Sequence, residues 1–126
     1  VIAELQCVVL DCPRPAALAA FHRELLGGEV DRPDRRWAPG DDWATLHTPT
    51  GSVLAFQRVP DHRPPTWPDP SVPQQSHLDL GVPDLDRAEE RVTALGATVL
   101  DAGSDGRGRR VYADPAGHPF CLVRHG

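Results

Sequence analysis

The sequence predicts an α+β protein in which one βαβββ motif occurs twice. Three observations lead there. Strand and helix signals run strand, helix, three strands through the first half of the chain, and the same order returns in the second. Between the halves lies "PDHRPPTWPDPSVPQQ", whose six prolines forbid regular structure.

Residues 4–12, "ELQCVVLDC", form a β-branched and apolar run closed by "PRP", the pattern of a buried strand. A helix follows in "AALAAFHRELL", where Leu18, Phe21 and Leu25 recur at helical spacing, Pro15 suits the first turn and Gly27-Gly28 ends it. Short strands fit "GEVD", "DWATLHT" and "SVLAFQRV", with "PTG" turning between the last two. In the second half "SHLDLGV" is a strand and Asp84 caps a helix over "LDRAEERVTALG". The strands "ATVLD", "RRVYAD" and "HPFCLV" complete it, the last two joined by the turn "DPAG". Module one therefore spans 1–59, the proline-rich linker 60–74 and module two 75–126. The linker is expected to act as a stiff spacer between the modules, with the alternative that it lays Trp67 over the mouth of a ligand cavity.

A chain of 126 residues is long enough for one domain with a real core. Its net charge of −5 and its lack of a cationic cluster argue against nucleic acid as a partner. The three cysteines, Cys7, Cys12 and Cys121, are an odd number without a CxxC pair, which argues against a disulfide framework and points to reduced thiols in the cytoplasm. No apolar run approaches the ~20 residues of a membrane-spanning helix.

The two βαβββ modules, with "HLDLGVPDLDRAEERVTALGATVL" and "YADPAGHPFCLV" in the second, resemble the vicinal-oxygen-chelate superfamily of glyoxalases, bleomycin-resistance proteins and ring-cleaving dioxygenases. In detail the chain is most similar to small glyoxalase-like proteins of actinobacteria. The resemblance covers nearly the whole chain, as a single glyoxalase-like domain over residues 1–126. It implies a cupped, partly open eight-stranded sheet with the helices outside, a homodimer, and metal ligands on the first and last strand of each module. Those positions fall on Cys7, Ala55, His77 and Cys121, the last of them where a "DP-x-G-x-x-x-E" pattern would place a glutamate. Both carboxylates of the family set are thus missing. The expectation is that no metal is bound, with zinc held by Cys7, His77 and Cys121 as the alternative.

Strand alternation then assigns neighbours. His77 shares a face with Asp79 and Gly81, and Cys7 shares one with Val9 and Asp11. Pairing Cys121 with Arg110 across "DPAG" brings Arg110, Tyr112 and Pro119 to its face and puts Val111, Phe120 and Leu122 on the other. By the same count Ala44, Leu46, Thr48, Val53 and Gln57 line module one, while His47 faces the helix. His22, His62, His118 and His125 are assigned to the surface. Cys7, Gln57, Trp67, His77, Asp79, Arg110, Tyr112 and Cys121 are therefore the candidate ligand-binding residues. The expected function is metal-independent binding of a small organic, antibiotic-like ligand. The alternative is a glyoxalase-type lyase or isomerase, metal-free or zinc-dependent, that moves protons through His77, Asp79 or Tyr112.

Overall fold

The computed structural model describes residues 1–38, 40–103 and 106–125. The chain divides into two compact units, Val1–His62 and Arg63–Gly126. In the first, β1 (Val8–Cys12) leads into α1 (Pro15–Leu26), followed by β2 (Glu29–Val30), β3 (Trp43–His47) and β4 (Val53–Arg58). The second repeats the order with β5 (Leu78–Val82), α2 (Leu85–Ala94), β6 (Thr98–Asp101), β7 (Arg109–Ala113) and β8 (Pro119–Arg124). Each unit holds an open four-stranded sheet, β1-β4-β3-β2 and β5-β8-β7-β6, in which the first and last strands pair in parallel and the others antiparallel. The predicted α+β fold and its tandem modules are therefore present. The opening strands are shorter than the apolar runs suggested, beginning at Val8 and Leu78.

Local chemistry fixes the helices. Pro15 opens α1, and Gly27, with φ of 77°, closes it by donating its N–H to the Arg23 carbonyl at 2.7 Å. Gly28 admits no side chain, because a Cβ there would collide with the His47 carbonyl. In α2 the Asp84 carboxylate accepts from the Arg87 amide at 3.0 Å, as its position ahead of the helix predicts.

One face of each sheet is covered by its helix. Leu18, Phe21 and His22 of α1 are buried with Ala44, Leu46, Leu54 and Phe56 of the sheet. His22 is 1 % exposed, with its ring stacked on Phe56 at 5.4 Å, which corrects its assignment to the surface. The stripe includes positions 18, 19 and 22 as well as 21, and a histidine four residues after Leu18 lies inside it.

The hairpins depart from expectation by one residue, and this moves several side chains to the opposite face. Cys121 pairs with Val111, not Arg110, and Ala55 pairs with Thr45. Both loops hold three residues. The 49–51 loop is closed by Thr48 and Ser52, and the 115–117 loop by Asp114 and His118. Each ends on a left-handed glycine, Gly51 at 92° and Gly117 at 88°. A four-residue "DPAG" loop would have given the register read from the sequence, and the shorter one flips alternate residues. Val111 thus joins Cys121, while Arg110 and Tyr112 turn to the helix face. There the buried Tyr112 stacks on Phe120 and donates its hydroxyl to Glu89 Oε1 at 2.9 Å, and Arg110 Nη2 donates to Asp86 Oδ1 at 2.7 Å. In the first unit Ala44 and Leu46 lie under α1 instead of lining the open face, and His47 is the residue that lies away from the helix.

The segment read as a spacer is folded rather than extended. Thr66 Oγ1 accepts from the Val72 amide at 3.0 Å, the Thr66 amide donates to the Val72 carbonyl at 2.8 Å, and the Asp69 carboxylate accepts from Ser71 N at 2.7 Å. Pro64 packs against Gly117, so closely that a Cβ on that glycine would overlap the proline ring. Trp67 is half-buried in this loop. Residues from Arg63 onward thereby belong to the second unit.

The Tyr112 hydroxyl is the buried polar anchor between α2 and its sheet. Replacing Tyr112 with Phe is expected to lower unfolding free energy by about 1–3 kcal/mol, because a hydrogen bond to a charged acceptor is lost. Urea denaturation followed by circular dichroism measures it, and an unchanged midpoint would remove the anchor from the account of this unit.

Candidate functional site

On the face of the second sheet opposite α2, strand alternation and parallel register place three chemically active side chains together. Asp79 lies beside Cys121 in the β5–β8 pairing, and His77 precedes Asp79 by two residues on the same side. Their donor atoms all lie within 4.8 Å of one another, and His77 Nε2 is 3.3 Å from Asp79 Oδ1. Burial is graded across the group. Cys121, on an inner strand, is 4 % exposed, whereas the His77 and Asp79 side chains on β5 are 38 % and 62 % exposed.

The thiol is held protonated. Burial first, and its hydrogen bond to the Asp79 carboxylate second, push the Cys121 pKa up to about 11, with Arg109 pulling weakly in the other direction and Asp101 adding to the rise. At neutral pH the site is a thiol donor, a carboxylate acceptor and an imidazole, and the sulfur is a poor nucleophile. The sequence placed His77, Asp79 and Cys121 on one face, and the structure brings them together. Arg110 and Tyr112 are not part of the group, since both are committed to α2. Burial, then the hydrogen bond to Glu89, holds the Tyr112 hydroxyl well above the usual phenol range, which removes it as a proton carrier at neutral pH.

In the first unit, Gln57 lies exposed next to Asp11 and Trp43 in the register of β1, β4 and β3, and the neighbouring Ala55 is completely buried. Cys7 is half-buried just ahead of β1, its thiol raised by burial and pulled back by the nearby Arg36 guanidinium. The same sheet face carries a cluster that the sequence reading missed. Asp34 takes a bidentate guanidinium contact from Arg36, at 2.7 and 3.0 Å, and lies 3.2 Å from His47 Nε2. Arg36 in turn lies 4.2 Å above the Trp37 ring. The hydrogen bonds from Arg36, with a further one from His47, hold the Asp34 carboxyl far below the usual carboxylate range. His47 is 5 % exposed, and its buried Nδ1 has no hydrogen-bond partner among the described residues. A cavity of about 270 Å³ lies beside this cluster, lined in part by Asp31, Asp34, Trp37 and Thr45. The sequence signal for it is "PDRRW" before β3, but reading His47 as facing the helix hides its partnership with Asp34.

The trio can be tested against the metals that the fold suggests. It offers one nitrogen, one oxygen and one sulfur, and a buried thiol is a poor ligand for the hard cations that prefer all-oxygen shells. Mn²⁺ and Mg²⁺ therefore do not fit. A borderline-soft ion such as Zn²⁺, which accepts mixed N, O and S donors, does. When bound it would supply Lewis-acid polarisation at His77, Asp79 and Cys121.

Two βαβββ units, each with its parallel first and last strands, define the chain as a protein of the vicinal-oxygen-chelate type. Residues 7–123 match the model of the glyoxalase-like domain, and the chain belongs to that family. The fold agrees with a glyoxalase/bleomycin resistance protein/dioxygenase family enzyme from Burkholderia phytofirmans, at TM-score 0.73 and 17 % identity over 97 % of this chain and 98 % of that one. A glyoxalase/dioxygenase from Nostoc punctiforme matches at TM-score 0.69 and 19 % identity, covering 100 % of this chain and 97 % of the other. A mutant of the fosfomycin resistance protein FosX from Listeria monocytogenes, complexed with Mn(II) and 1S,2S-dihydroxypropylphosphonic acid, matches at TM-score 0.69 and 17 % identity over 98 % and 90 %. No curated protein matches the chain in sequence. Among the described residues no helix is long and apolar enough to cross a membrane.

The perturbed thiol has a stability signature. Its folded pKa is raised, so its contribution is complete below about pH 9 and is lost as pH climbs through about 11. Cys121→Ala is expected to flatten the alkaline fall in stability over that window, as read by urea denaturation at successive pH values. An identical slope in both proteins would refute the raised pKa.

Proposed function

We propose that this protein binds a small organic molecule over the sheet face that carries His77, Asp79 and Cys121, and that holding the molecule, rather than converting it, is its activity. The observation that carries this reading is the clustering of His77, Asp79 and the buried Cys121 on one sheet face, the cysteine standing where the family pattern has a glutamate. A donor, an acceptor and an imidazole converge on one side of the sheet, the few oriented polar groups that small-molecule sites use. Mn(II), which accompanies the ligand in the FosX complex, has no suitable donor set here. The antibiotic context of FosX makes antibiotic-like compounds the first class to screen. The proposal takes the whole chain as one functional domain, acting as a homodimer in the cytoplasm, with Trp67 free to stack on a planar ligand.

A second reading is favoured by one contact. His77 lies 3.3 Å from Asp79, an arrangement that can orient an imidazole for general acid–base work in a lyase or isomerase of glyoxalase type. Tyr112 has no part in it, because its hydroxyl is engaged with Glu89.

A thermal-shift screen of aromatic natural products and antibiotics separates the two, since a ligand that binds only the folded state raises the melting temperature. The expected hit binds saturably and equally well with or without added Mn(II), weakens by about tenfold in His77→Ala, and is recovered unchanged by mass spectrometry. Turnover of the hit by catalytic amounts of protein would establish the enzyme instead. A strict requirement for Mn(II) would overturn both the site chemistry and the reading built on it.

A further inference from the structure

We propose that His125 is a further ligand-contacting residue of the face that carries His77, Asp79 and Cys121, and that the molecule held there is a ring-sized compound with a polar group at each of two opposite ends. The inference rests on the reading of that face as the ligand site and deepens it by giving the ligand a second polar contact. His125 lies outside residues 7–123, which the glyoxalase-like model matches, so its place on the face is a feature of this chain rather than of the family pattern.

Two independent features put the imidazole there. Side chains alternate along β8, so Cys121, Val123 and His125 share one side. The His125 amide donates to the Val82 carbonyl at 3.0 Å, which carries the pairing of β8 with β5 past Arg124. On β5 the same side holds His77, Asp79 and Gly81. Gly81 is not among the glycines with positive φ, so its backbone does not call for a glycine. What the missing side chain provides is room. A Cβ on Gly81 would overlap the His125 ring, and Nε2 of that ring lies 3.2 Å from the place the Cβ would take. The ring therefore turns from the end of β8 across onto β5.

The spacing selects the ligand. Gly81 follows Asp79 by two residues, which sets the His125 imidazole ~7 Å from the trio along β5. Val123, the register partner of Gly81, and Val111, the register partner of Cys121, supply an apolar floor beside this gap. A flat ring resting on that floor meets a polar centre at either end, and groups placed para across one benzene ring match the separation. His125 is exposed, and among the described residues its ring nitrogens make no hydrogen bond, so both are open to a ligand. A neutral imidazole has one donor and one acceptor nitrogen. A primary carboxamide, which both donates and accepts, suits it whichever nitrogen carries the proton.

The test titrates the full chain with two probes, terephthalamide, which has a carboxamide at each para end, and benzamide, which has one, and follows the histidine Cε1–H resonances by NMR. Terephthalamide is expected to bind about fivefold more tightly than benzamide, the effect of one added hydrogen bond, and to shift the His77 and His125 resonances together. Benzamide should shift His77 with little effect on His125. In His125→Ala, which removes the ring, and in Gly81→Ala, which displaces it, the two probes should bind equally, at the affinity of benzamide for the unaltered protein. Both positions are exposed, so neither change touches the core. Equal affinities in the unaltered protein, a His125 resonance that terephthalamide does not move, or a preference that survives in both variants would each overturn the role of His125. In those cases a shifted His77 resonance leaves the reading of the face standing. A His77 resonance unmoved by either probe would count against that reading, and the inference would fall with it.

Discussion

The Asp114 carboxylate sets the register on which the second unit depends. Its Oδ1 accepts from the amides of Ala116 and His118, at 2.9 and 3.0 Å, while the Asp114 carbonyl accepts from Gly117. These bonds close a three-residue loop, and Gly117 supplies the positive φ with which such a loop rejoins its strand. Because side chains alternate with period two, one residue of loop length decides which side of β7 meets Cys121. The loop chosen sends Tyr112 and Arg110 to α2 and Val111 to the site face. Asp114 is 5 % exposed, so this is a buried constraint rather than an adjustable surface turn.

The same device recurs in the first unit, where Thr48, Ser52 and Gly51 close the β3–β4 loop. There the consequence differs because the side chains differ. The inner strand presents Ala55 at the place where β8 presents Cys121, and an alanine offers no chemistry to a ligand. Instead the segment between β2 and β3 places Asp34 and Trp37 at His47. One duplicated backbone plan therefore carries two different polar centres, and the function follows the side chains rather than the repeat.

How much of this the sequence disclosed depended on whether the signal was local. Pro15 and Gly27 bounded α1, Asp84 capped α2, and the repeated strand–helix–strand order gave the fold, because each is written in a short span of residues. His77 and Asp79 were readable as neighbours for the same reason, being i and i+2 on one strand. The faces of β3 and β7 were not readable, since they depend on whether a loop counts three residues or four. His22 reads as a surface histidine because the ring that stacks on it, Phe56, lies thirty-four positions away in the sequence. The folding of the 63–74 segment was hidden because prolines signal the absence of helix and strand but not the hydrogen bonds that Thr66 and Asp69 make instead.

Strand order explains why the trio has one buried and two exposed members. β8 lies between β5 and β7, so a side chain on it is flanked on both sides and Cys121 is buried. β5 is at the edge of its sheet, and His77 and Asp79 remain open. A buried group desolvated in this way resists ionisation by itself, and the hydrogen bond to Asp79 reinforces the resistance.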